Sequence, residues 1–313
     1  GGDDAGPAPT DQGDADTPRA DDADGGDAPT DTTDGRKTLT VAEAKELIQR
    51  VGSTPPDWYD DVPLNYPKTL DLSWPKAQGP WNPRKNIGQY MWSIINENPS
   101  RWKEGTRFMH HVLSVNKGNR QAQANAMREL GHCYDDLLGD YVRGAFWYEQ
   151  AARAGAKFPI VELADCYCQI GCKLLAVQLL ARENYDGSRY GSTIKLWADM
   201  GELNRALKLA EVSARRGNPM GAYMGAADAL RLHGRYRQAL AYYQKVLDLP
   251  DNVTRKDVVN RNKGRARANI DAIKAEELLD ITRVPDGKYN GTSFAYNGDL
   301  TVAVEVKRSE ERR

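Results

Sequence analysis

Four glycines constrain this chain more than any other feature. Gly139, Gly171, Gly201 and Gly234 follow one another at intervals of 32, 30 and 33 residues. Their surroundings align. Two positions on stand Tyr141, Lys173, Leu203 and Tyr236; five positions on stand Gly144, Ala176, Ala206 and Ala239. Upstream, the preceding segments carry Leu130-Gly131-x-x-Tyr134, Leu163-Ala164-x-x-Tyr167, Ile194-x-x-Trp197 and Ala227-x-x-Leu230. Each unit reads as an apolar helix, a glycine turn and a second helix. The small residue five after the glycine lets the two helices approach closely, and the aromatics fill the gap toward the next pair. A helical hairpin of this size cannot bury its apolar face alone, so three or more must stack around one continuous core.

The clearest copies are 130–152 and 234–250. They resemble the tetratricopeptide repeat family, whose period is about 34 residues. The first copy, with Trp147-Tyr148-Glu149-Gln150-Ala151-Ala152 and Gly155, is similar to the Sel1-like variant. The resemblance implies a mostly α fold: a TPR-like α-solenoid of helical hairpins over 84–282. This chain departs from the pattern at Gly144, where alanine is expected, and in the loop 154–159. The second and third units also lack a closing proline. In tetratricopeptide arrays, exposed residues of the first helices line a concave, peptide-binding surface. The matching positions here are His132, Asp135, Asp136, Asp165, Gln169, Lys195, Asp199, Asp228 and Arg231. Most are acidic, which suits a basic or amidic segment of a protein partner. The alternative is that these are ordinary solvated residues.

No constellation of catalytic or metal-binding residues stands out. Gly-x-Ser-x-Gly, the P-loop, the dinucleotide fingerprint and zinc-site spacings are all absent. Gly187-Ser188-Arg189-Tyr190-Gly191-Ser192 lies between repeats, where a loop is expected. His110 and His111 are adjacent, so on a helix they diverge by about 100° and form no metal pair. They, His132 and His233 read as surface or packing residues. Cys133 and Cys166 occupy one repeat position, where a small buried side chain is wanted. With Cys168 and Cys172 they read as structural thiols. A disulfide between neighbouring repeats would follow in an exported protein.

The flanks read differently. Residues 1–37 hold eleven Asp against Arg19, Arg36 and Lys37, so the remainder is net basic. A segment with so little apolar surface is expected to be disordered, as a tether or an acidic interaction tail. The region 38–83 opens with a short helix that Thr40 caps and Glu43 completes as a capping box, closed by Gly52. A strap rich in Pro and Trp follows. Its prolines exclude regular helix, and Trp58, Trp74 and Trp81 either pack on the helices or form a platform for carbohydrate or peptide. Asn82-Pro83 and Pro99-Ser100 are expected to start two capping helices. After Pro250, Thr254 opens a long helix to about Asp280. Its basic first half (Arg255, Lys256, Arg261, Lys263, Arg265, Arg267) is a solvated face, a face for acidic segments, or a phosphate contact.

Beyond Arg283, Leu300, Val302, Val304 and Val306 alternate strictly after Asn297-Gly298, a strong hairpin signal. Asp286-Gly287-x-Tyr289-x-Gly291, Tyr296-Asn297-Gly298 and the Val-x-Val-x-Val strand resemble the opening of the FMN-binding domain of periplasmic flavin subunits in membrane redox complexes. That family attaches flavin through a Thr in a Ser/Thr-Gly-Ala-Thr motif, which this sequence lacks. Residues 283–313 are therefore expected to be the start of a truncated domain, with no cofactor held in this chain and FMN held only in a longer form. The expected role is an interaction scaffold that positions this domain, and no enzyme activity is expected of the chain itself. The alternative is a flavoprotein working with a redox partner, and in either case the resemblance implies an extracytoplasmic location, periplasmic or membrane-anchored. No apolar run reaches the ~20 residues needed to span a membrane. Membrane association is thus expected only through an anchor outside this sequence, and nucleic acid is not an expected partner.

Overall fold

The computed structural model describes residues 38–156, 159–182, 190–278, 283–295 and 298–307. The expectations for 1–37 and for residues 187–189 of the Gly/Ser-rich stretch lie outside these residues; its second half, expected as loop, is instead the first turn of a helix that begins at Tyr190. The described chain is mostly helical and ends in a two-stranded antiparallel hairpin. Its twelve α-helices are α1 (Val41–Gly52), α2 (Ile87–Tyr90), α3 (Trp102–Val115), α4 (Arg120–His132), α5 (Tyr141–Arg153), α6 (Ile160–Gln169), α7 (Lys173–Ala181), α8 (Tyr190–Asp199), α9 (Leu203–Arg215), α10 (Pro219–Leu232), α11 (Tyr236–Asp248) and α12 (Lys256–Leu278). No described helix is long and apolar enough to cross a membrane.

The glycine turns share one geometry. Gly139, Gly171, Gly201 and Gly234 have φ of 66°, 91°, 77° and 66°, left-handed values that side chains bearing a Cβ resist. The amide after each glycine donates back to the carbonyl at the aromatic repeat position. Asp140 bonds Tyr134 at 2.7 Å, Cys172 bonds Tyr167 at 2.9 Å, Glu202 bonds Trp197 at 2.8 Å and Arg235 bonds Leu230 at 2.9 Å. This is the Schellman closure, which satisfies carbonyls that a helix end would leave orphaned. The small residues that follow are buried: Ala176, Ala206 and Ala239 have no exposed surface. Helices α4 and α5, α6 and α7, α8 and α9, and α10 and α11 pack as pairs, and α12 packs on α11. Contacts also join α6 to α8, α8 to α10 and α10 to α12.

Two π turns interrupt this regularity. Met91–Ile95 continues α2, and Cys133–Leu137 continues α4. The second accounts for Gly144. A Cβ there would stand 3.0 Å from the Asp135 Cβ and 3.2 Å from both the Asp135 backbone nitrogen and the Cys166 Sγ. The wider turn carries Asp135 against α5, and only a residue without a side chain leaves room for it.

The flanking segments pack on the helices. Thr40 and Glu43 form the expected capping box of α1, which rests on α5. Trp58, Tyr66, Leu70, Leu72 and Trp74 pack against a core of Ile87, Tyr90, Phe108 and Met109, whereas Trp81 is 61% exposed. The helix expected from Asn82-Pro83 begins later, at Ile87. Asn86 is its cap, accepting from the Gln89 amide, while Asn82 closes a turn by accepting from the Arg84 amide. At the other end, β1 (Gly287–Ala295) pairs with β2 (Gly298–Val306), with Tyr289 opposite Val304 and Gly291 opposite Val302. Leu300, Val302 and Val304 are exposed on one face.

Candidate functional site: an acidic cleft

Three neighbouring elements enclose a cavity of about 400 Å³. The π turn supplies Asp135 and Asp136. Helix α6 supplies Val161, Glu162 and Asp165, and α8 supplies Ser192, Lys195, Leu196 and Asp199. The α8 residues are spaced three, four and seven apart, so they form one stripe on that helix. Five carboxylates face a single lysine. That lysine is tied to its own helix, because Lys195 pairs with Asp199 one turn on.

The carboxylates are not equivalent. Asp135 is only 5% exposed. Burial, then the charges of Asp136 and Asp165, push its pKa up to about 7, while hydrogen bonds from Cys166 and Tyr148 oppose the rise. The Tyr148 hydroxyl donates to it at 3.4 Å. Burial also raises Asp165, against a hydrogen bond from Gln169 and the charge of Lys195. Asp136 pairs with the His132 Nδ1 at 2.5 Å. Burial alone would lower His132. The Asp136 hydrogen bond, followed by the charges of Glu129, Asp136 and Asp135, outweighs it and raises the imidazole above its ordinary value. The Asn96 amide holds the other ring nitrogen at 3.1 Å. The cleft therefore holds two carboxyls, Asp135 and Asp165, in which burial favours the protonated form.

The structure gathers Asp135, Asp136, Asp165, Lys195 and Asp199 of the sequence-derived set into one cavity. His132 joins through Asp136 and Gln169 through its 3.3 Å bond to Asp165. Asp228 and Arg231 lie elsewhere, on α10. Asp228 there accepts from the Tyr243 hydroxyl at 2.7 Å and from Arg265 at 3.1 Å. One expectation needs correction: Asp135 is a buried residue and not an exposed one, because the π turn rotates it inward against Gly144. Glu162 and Ser192 escaped the sequence reading. Each stands three residues before a residue in the set, Asp165 and Lys195; helical spacing would have found Glu162, whereas Ser192 was hidden by the loop expected there, which is the first turn of α8.

Cys133, Cys166 and Cys172 are buried free thiols. His110 and His111 are packing residues, as expected. No grouping of three or more His, Cys, Asp or Glu among the described residues has the geometry to hold a metal ion. Comparison with protein-family models, curated proteins and solved structures returns no match.

Proposed function

We propose that the chain is a TPR-like α-solenoid scaffold whose acidic cleft docks a basic segment of a partner protein. The observation that carries this reading is the convergence of five independently mapped repeat positions on one cavity of net negative charge. The recurring Schellman turns and the α6–α8–α10–α12 contacts support the solenoid part of it. A Lys or Arg side chain entering the cleft meets Asp136, Glu162 and Asp165, and its stem lies along Val161 and Leu196. Its charge also favours the ionised form of Asp135.

The test is fluorescence anisotropy with labelled Lys/Arg-containing peptides at low and physiological salt. Binding should weaken with salt and drop at least tenfold in an Asp136→Lys/Asp165→Lys double variant. Equal affinity in wild type and variant would overturn the assignment. A second reading rests on the exposed Leu300, Val302 and Val304 face of the hairpin. In that reading further strands cover the face, and the longer form is an extracytoplasmic flavoprotein carrying FMN. Flavin fluorescence of the native protein isolated from its source cells tests it; its absence there removes this reading.

A further inference from the structure

The strap after α1 is held to α3 by one arginine and two histidines. Arg107 anchors it: one guanidinium nitrogen donates to the carbonyls of Tyr59 and Asp60, each at 3.0 Å, and to that of Val62. On the next turn, His110 and His111 each meet one strap tyrosine. The His110 ring is met edge-on by Tyr59 at 5.2 Å and by Trp147 of α5 at 5.2 Å. It shares a 2.9 Å hydrogen bond with the Tyr134 hydroxyl. The His111 ring lies 5.5 Å from that of Tyr66 and contacts its hydroxyl at 3.3 Å. Tyr66 in turn stacks at 4.7 Å on Phe108.

We propose that the strap over 53–66 is an acid-released clamp: protonation of His110 and His111 detaches it from α3 and uncovers the helix face beneath. The charges that act on the two imidazoles are cations, Arg143 and Lys68, and both oppose an added positive charge. The ionisable groups facing His110 are Arg143 from α5 and the Tyr134 phenol from the π turn; Arg107, on its own helix, acts on Tyr59. Those facing His111 are Lys68 and Tyr66 from the strap. Asp140 is committed to Arg143, which it pairs at 2.6 Å, and Asp60 acts on Tyr59.

Burial, then Arg143, hold His110 down to about 4, and burial, then Lys68, depress His111. An imidazole with a depressed folded value contributes stability above its ordinary value of 6.5, which is lost as pH falls toward the folded one. Between pH 7.5 and 5, a released His110 takes up protons that the docked one refuses; complete solvation would favour release by about thirty-fold, a ceiling because Trp147, Tyr134 and Arg143 stay beside the ring when the strap leaves.

The experiment is hydrogen exchange of the full chain at pH 7.5 and 5.0, corrected for intrinsic rates and read by mass spectrometry. Protection of 53–66 should fall by between about fivefold and about thirty-fold at pH 5.0, while peptides from α9 to α11 change less than about threefold. A His110→Phe/His111→Phe variant should lose this pH dependence, and Tyr59→Ala should leave the strap weakly protected at both pH values. The proposal fails if strap protection is the same at both pH values, if the helices lose protection in parallel, or if the fall persists in the double variant. The tyrosine variant keeps the test open should the double variant not fold.

Discussion

Replacing the buried acid Asp135 by Asn should stabilise the protein, and the gain should depend on pH. Asp135 stands under the cleft with its pKa raised from 3.8 to about 7. A carboxyl whose folded value is raised contributes most below its unfolded value. That contribution is lost as pH climbs from about 4 to about 7, because the folded chain resists giving up a proton that the unfolded chain releases. The gap, at 1.36 kcal/mol per pH unit, sets a ceiling of about 4 kcal/mol at pH 8. Asparagine is neutral at every pH and keeps an oxygen for the Tyr148 hydroxyl, so Asp135→Asn removes the penalty and preserves the acceptor. Urea unfolding of wild type and variant at pH 4, 6 and 8 measures the effect. The variant should match wild type within about 1 kcal/mol at pH 4 and exceed it by roughly 2–4 kcal/mol at pH 8. A variant advantage that is flat with pH, or a variant weaker than wild type at pH 8, would refute the argument that burial and the neighbouring carboxylates dominate this site.

Two further substitutions test the packing. Gly144→Ala places a methyl 3.0 Å from the Asp135 Cβ, and overpacking should outweigh alanine's helix preference, for a net loss of about 1–2 kcal/mol in thermal or urea denaturation. Gly201→Ala meets no atom within 4 Å but must hold φ at 77°. It should cost about 1–2 kcal/mol through the backbone alone, read in the same assays.

The parts of this fold that were legible in the sequence are those where chemistry permits few residues. A left-handed helix end asks for glycine, and a close helix crossing asks for alanine or glycine, so Gly201 and Ala206 announce their roles. Helical spacing likewise put Lys195 and Asp199 on one stripe of α8, and the repeat register brought Asp165 of α6 to the same cleft. The π turn at Cys133–Leu137 leaves no comparable trace. The bond from the Leu138 amide to the Cys133 carbonyl uses backbone groups that every residue carries, yet it turns Asp135 from solvent to core. The anomaly at Gly144 was its only mark. The strap is similar: Arg107 reads three carbonyls, and no side-chain pattern encodes a carbonyl. The start of α2 shifted because Asn82 and Asn86 are equally good caps, and tertiary packing chose the second.

The hairpin has a practical consequence. Among the described residues no third strand pairs with β1 or β2, and a strand edge left unpaired is a template for strand addition by a neighbouring molecule. Charges placed along it, with Lys288 opposite Glu305 and Lys307 paired to Glu305 at 3.1 Å, oppose that growth only while they remain unscreened. Concentrated stocks in high salt should therefore associate through this end first, and storage at low ionic strength or a charged substitution at Val302 is the direct remedy.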